Sequence, residues 1–183
     1  MDSEKVKLFM QLAGQKVSDG LTESDPQIRQ LGAQLLLSEV LEYIIKGLGV
    51  TPVVNGVAIV DPENIKYQAE RPVDLLEMLD GLSDVAYTMY WNSCAFGLPL
   101  EQAFDLVSDN NLEKFVRLEK SAYKAGMLDN EEWHCGQNIS WPQEVATVEV
   151  ININGMLYAV GKDNRGKVRK PSSYRSVDLK GLI

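Results

Sequence analysis

The chain has 183 residues, 45% of them hydrophobic and 24% charged, a composition of folded rather than disordered protein and a length that suits one domain with a sizeable core. Its net charge of −8 argues against a general DNA- or RNA-binding surface, where a basic patch supplies most of the affinity, and suits a protein that recruits cations. Two cysteines, Cys94 and Cys135, and the single histidine His134 make a disulfide scaffold or a zinc site improbable.

The N-terminus, charged from Asp2 to Lys5, lacks the apolar core of a signal peptide, and no apolar run reaches the length of a membrane span; the chain is read as cytoplasmic. Ser3 caps a first helix expected to reach about Val17, with Val6, Phe9, Met10 and Ala13 on one face. After a connector from Gly20 to Ser24, Asp25-Pro26 places an N-cap and a first-turn proline at the start of a second helix, expected to end near Gly47 and Gly49. Pro52, Asn55-Gly56, Asp61-Pro62 and Pro72 then punctuate a long loop, with a short strand over Val57–Val60. A third helix is expected from Val73 to Phe96, stopped by Gly97-Leu98-Pro99. A fourth starts near Leu100, and a fifth helical stretch spans about Leu112 to Ala125. Beyond Trp133, Thr147–Ile153 and Met156–Val160 flank Asn154-Gly155, a strong hairpin signal, and a basic tail follows from Lys162 to Lys170. The expected architecture is a mainly α helical bundle, one domain over 1–183, with a helical core at about 3–126 and a C-terminal hairpin and tail at about 133–183.

Chemistry concentrates on the second and third helices. The stripe Ile28, Leu31, Leu35 continues through Glu39 and Glu42, on a helix apolar on its other faces as well. Glu77, Asp80 and Asp84 share one face of a third helix built from Leu75, Leu76, Leu79, Leu82 and Val85. Helices this apolar belong inside a bundle. Ionised carboxylates without cationic partners are costly to bury, and no lysine or arginine stands in either acidic stripe. Bound cations would resolve the conflict, and an all-carboxylate set favours hard ions such as Mg²⁺ or Mn²⁺. The alternative is that these acids only solvate exposed helix faces.

The segment Leu37-Ser38-Glu39-Val40-Leu41-Glu42 resembles the Glu-Glu-x-x-Glu helix of the all-α NTP pyrophosphatases, the MazG-like and phosphoribosyl-ATP pyrophosphohydrolase-like superfamily. Asp80-Gly81-Leu82-Ser83-Asp84 resembles that family's second acidic helix. Ser108-Asp109-Asn110-Asn111-Leu112-Glu113-Lys114 is similar to its Ser-Asn-Met-Ser-Lys segment, and Gly166-Lys167-Val168-Arg169-Lys170, with Tyr174 beyond, to a stretch found in small phage-type members. Gly14-Gln15 and Arg29 also fall where such members carry them. Ser38 replaces the first glutamate of the family motif, and Gly81 stands where an acid is usual, so Asp80 or Glu77 must substitute.

The resemblance implies two or three Mg²⁺ or Mn²⁺ ions held by Glu39, Glu42, Asp80 and Asp84, with Glu77 as a further candidate ligand. It implies Glu39, Glu42 and Asp84 as catalytic residues, and Asn111, Lys114, Lys167, Lys170 and Tyr174 on the substrate. The implied reaction is attack of an activated water on the α-phosphorus of a nucleoside triphosphate, dGTP being the substrate suggested by the phage-type members, to give a monophosphate and pyrophosphate. A dUTPase-like enzyme and a non-enzymatic helical interaction module are the alternatives. No nucleic-acid or membrane partner is expected. The apolar second helix and the family both point to a homodimer or homotetramer.

Overall fold

The computed structural model describes residues 3–23, 25–61, 64–119 and 122–183. Ser24, Pro62, and Lys120 and Ser121 of the expected fifth helix lie outside these, as do Met1 and Asp2. The chain divides into two compact units, Gly20–Val85 and the combination of Met1–Asp19 with Ala86–Ile183.

The larger unit is organised by a sheet that the sequence showed only in part. Helix α1 (Ser3–Leu12) stops earlier than its apolar pattern, because Gly14 adopts φ +71°. The Gly14 N–H donates to the Gln11 carbonyl and the Gln15 N–H to the Met10 carbonyl, closing the helix end with a left-handed residue that glycine adopts without a Cβ penalty. Helix α4 (Leu100–Leu112) is followed directly by β3 (Val116–Leu118). Next come β4 (Gly126–Met127), β5 (Val145–Ile153) and β6 (Met156–Asp163), in an antiparallel sheet of order β3-β6-β5-β4. The expected hairpin is β5–β6: Asn154 (φ 50°) and Gly155 (φ 77°) form its turn, and Ile153 pairs with Met156.

Two expectations are overturned here. The fold is mixed α/β rather than a mainly α bundle, and Val116–Leu118, within the expected fifth helix, form a strand. Val116 and Leu118 are buried on either side of exposed Arg117, the two-residue alternation of a strand, and they pair with Ala159 and Leu157 of β6. Pairing with a distant hairpin decides this segment, whose local run of apolar residues is equally compatible with a helix.

The core follows the sheet. Val148, Val150, Ala159, Leu118 and Cys135 form one buried cluster, with Trp133, Ile139 and Trp141 packed against it. On the other face Leu12, Ala13, Phe115 and Val160 join Phe9, whose ring meets Phe115 edge-on with centroids 5.1 Å apart.

The smaller unit is built differently. Helix α2 (Pro26–Glu42) begins as its sequence dictates, with the Asp25 carboxylate accepting the Ile28 N–H at 2.9 Å. It runs into a π-helical turn over Tyr43–Gly47. A two-residue ribbon pairs β1 (Val53–Val54) with β2 (Val57–Ala58) around Asn55-Gly56, shorter than the expected strand. Helix α3 (Leu75–Phe96) starts where Asp74 accepts the Leu76 and Glu77 N–H groups, and its first residues, Leu75 to Val85, belong to this unit. Within the unit α2 and this part of α3 do not pack as a helix pair. Their apolar residues are exposed instead: Leu31, Leu35, Leu36 and Val40 on α2, and Leu76, Met78, Leu79 and Leu82 on α3, Leu76 at 75%. Leu41 is the only core hydrophobic of α2. None of the described helices is long and apolar enough to cross a membrane.

Candidate functional site

All five carboxylates singled out in the sequence belong to the smaller unit. Glu39 and Glu42 lie one turn apart near the end of α2; Glu77, Asp80 and Asp84 occupy the first three turns of α3. Every one of them is exposed: of the two places expected for them, inside the bundle or at its mouth, the inside is excluded. They are exposed for the same reason as their apolar neighbours: within their own unit the described residues leave these faces uncovered. Among the described residues no three His, Cys, Asp or Glu side chains converge on a point where an ion would sit. The donor type suits a hard cation, but one chain leaves the two acidic sets on helices that do not pack together.

A second correction concerns Glu42. Lys46 lies one turn further on, within the π-helical turn, and its Nζ donates to Glu42 Oε1 at 2.6 Å. The acidic stripe therefore does carry a cation. The Lys46 pKa is raised, first by its hydrogen bond to Glu42 and then by that carboxylate's charge. Both partners are exposed, and solvent screening leaves such a pair weak, so Glu42 is readily released to another ligand.

The residues matched to substrate binding belong to the larger unit, and four of the five share one neighbourhood. Lys114 Nζ donates to Asn111 Oδ1 at 2.7 Å, at the C-terminal end of α4. Beside them Asn110, 8% exposed, accepts the Tyr174 hydroxyl at 2.5 Å and donates to the Arg175 carbonyl at 2.6 Å, which fixes the tail against α4. Lys170 lies over the Tyr174 ring, 4.7 Å from its centroid. Sequence comparison of residue types pointed to Asn111; the buried hub is its neighbour Asn110. That role follows from which face of α4 meets the tail, a pairing with distant Tyr174 and Arg175 that local spacing does not show.

Lys167 stands apart from this group. Its backbone N–H, with that of Arg165, is accepted by Asp163, and Arg169 forks onto the same carboxylate at 2.7 Å. Burial would raise the Asp163 pKa, but these N–H groups and the guanidinium outweigh it and hold the carboxyl below its ordinary value. The start of the basic tail is thus a structured turn rather than a solvated charge run.

His134 accepts the Gly136 N–H through Nδ1, a local turn contact. Cys135 is buried, and burial pushes its thiol up to about 11, far from a reactive nucleophile. The chain matches no family model, no curated protein and no solved structure.

Proposed function

We propose that the chain is a Mg²⁺- or Mn²⁺-dependent nucleoside triphosphate pyrophosphohydrolase whose carboxylates are gathered when a second copy covers α2 and the first half of α3. The observation that carries the reading is the coincidence, on both helices, of exposed carboxylates with exposed leucines. Large apolar residues stand exposed along both helices, from Ile28 to Val40 on α2 and from Leu76 to Leu82 on α3, the kind of surface that marks a protein–protein interface. A second copy is suited to such a face because a twofold axis repeats each stripe against its equivalent. Closing the interface would place Glu39 and Glu42 of α2, and Asp80 and Asp84 of α3, in low dielectric, where carboxylates without cations are unstable.

In this reading Glu39, Glu42, Asp80 and Asp84 hold the ions, with Glu77 completing the shell. When bound, divalent ions at these carboxylates would supply activation of water and neutralisation of phosphate charge. The chain's own contribution is to orient. The carboxylates fix where the triphosphate lies, and the resemblance implies Lys114, Lys167 and Lys170 for phosphate oxygens and Asn111 and Tyr174 for the nucleotide. Water adds to the α-phosphorus, the bond from that phosphorus to the bridging oxygen breaks, and the products are a monophosphate and pyrophosphate. The resemblance of the acidic helices to the MazG-like enzymes supports this chemistry, and the phage-type members suggest dGTP among the substrates and action in the cytoplasm.

The same exposed leucines favour one competing reading, a helical interaction module without catalysis. Calorimetry separates the two. An enzyme of this kind binds Mn²⁺ through Glu42 and Asp84, so Glu42→Gln and Asp84→Asn each reduce the heat of binding; a module gives no saturable Mn²⁺ isotherm in either form.

A further inference from the structure

A second site lies at the opposite end of α2. The segment Lys66–Pro72 and the first turns of α2 enclose an open cleft of about 610 Å³, the size of a small-molecule site. Arg29, Lys66 and Arg71 bring three cations to its wall against one acid, Glu70. None of these four groups forms an ion pair among the described residues.

Among the described residues, two polar atoms of side chains that line this cleft are shielded from solvent and lack any hydrogen-bond partner: Arg29 Nε and the Tyr67 hydroxyl. Arg29 is already held in place, since its Nη1 donates to the Arg71 carbonyl at 2.8 Å. That bond ties the helix to the Lys66–Pro72 segment and leaves the Nε edge of the guanidinium unused. A buried donor without an acceptor is unfavourable, more so on a charged group, and native structures leave few of them. Two such atoms beside three cations without an ion pair among the described residues call for an acceptor from outside those residues.

We propose that this cleft is an oxyanion-binding site for a phosphorylated small molecule of mononucleotide size. A phosphate oxygen supplies the acceptor that Arg29 Nε lacks and accepts the Tyr67 hydroxyl proton, while Lys66 and Arg71 balance the charge. Arginine suits this task because its planar edge bonds phosphate with fixed geometry. The site is distinct from the carboxylates of the same chain: Arg29 and Glu39 are separated by ten residues of α2, about 15 Å at the rise of an α-helix, longer than a triphosphate. It neither requires nor involves a metal.

Titration of inorganic phosphate and of AMP into the full-length protein in excess chelator tests the proposal. AMP binds more tightly than phosphate if the cleft's volume is used, and equally if only the anion is held; either result supports the oxyanion site. Arg29→Gln weakens binding about 10- to 100-fold, the effect of one charged hydrogen bond. Tyr67→Phe weakens it about 3- to 10-fold while raising the Tm of the ligand-free protein, because it removes an unpartnered buried hydroxyl. A merely structural tyrosine would not give that pair of opposite changes. Glu42→Gln binds as wild type, which separates this site from the proposed hydrolase centre, whose failure would leave these titrations unchanged. Absence of binding in the wild type, unchanged affinity in Tyr67→Phe, or loss of binding in Glu42→Gln overturns the inference.

Discussion

Leu79→Ala isolates the covering of α3 by a second copy. Leu79 is 65% exposed in the single chain, so truncating it leaves the fold of the monomer almost unchanged, within about 0.5 kcal/mol for an exposed position. In a twofold assembly the same residue is lost from both protomers. Burying a leucine side chain contributes about 1.5–3 kcal/mol. With nearly two thirds of the residue uncovered, each copy stands to lose about 1–2 kcal/mol, and the dimer about 2–4 kcal/mol. At 1.4 kcal/mol per tenfold, the dissociation constant rises between about 30-fold and 700-fold. Sedimentation equilibrium over a dilution series measures that constant, and far-ultraviolet circular dichroism confirms that the helices survive. A wild-type chain that stays monomeric at every concentration refutes the reasoning. So does a Leu79→Ala dimer that dissociates at the wild-type midpoint.

Other outcomes follow from the larger unit. A Cβ at Gly161 would stand 2.4 Å from the Trp141 ring, so Gly161→Ala forces the indole aside and costs about 1–3 kcal/mol. In thermal melts that is a Tm lower by roughly 2–12 °C. Asp163→Asn removes a carboxyl whose pKa is depressed on folding, so its stabilisation is present above the ordinary value of 3.8 and is lost as pH falls through the lower folded value. The Tm gap between wild type and Asp163→Asn is therefore constant near neutrality and closes in acid; a gap that widens there contradicts the assignment. Cys135, 1% exposed and with its thiol raised to about 11, is alkylated only when the sheet opens, so its labelling rate tracks unfolding in denaturant while Cys94, exposed, reacts in the folded chain.

What could be read from the sequence was what local chemistry determines. Asp25-Pro26 fixed the start of α2, Gly97-Leu98-Pro99 separated α3 from α4, and Asn154-Gly155 marked the β5–β6 turn. The sheet beyond that hairpin was not legible. β3 and β4 are three and two residues long, too short for a periodic signal, and exist because distant β6 and β5 supply their hydrogen bonds. The early end of α1 was written in Gly14, but its apolar pattern runs past that residue and masks the stop. For the candidate site, the five carboxylates and their helices were identifiable, whereas their exposure was not. Reasoning from an apolar helix to a buried one assumes that the chain covers its own hydrophobic faces, and here Leu35 and Leu79 remain open. The cleft at Arg29 was hidden because Lys66 to Pro72 has no periodicity; its one hint was an aromatic set between cations in a long loop.

The central claim is triphosphate cleavage by carboxylates on α2 and α3. Its most direct test is pyrophosphate release from a panel of nucleoside and deoxynucleoside triphosphates with Mn²⁺, comparing wild type with Glu42→Gln and Asp84→Asn. Wild-type protein is expected to give equimolar monophosphate and pyrophosphate from at least one nucleotide, abolished by chelator and reduced at least about 100-fold in each variant, as when a group that stabilises transition-state charge is removed. Wild-type protein that cleaves none of the panel, or full activity in either variant or in excess chelator, would contradict it.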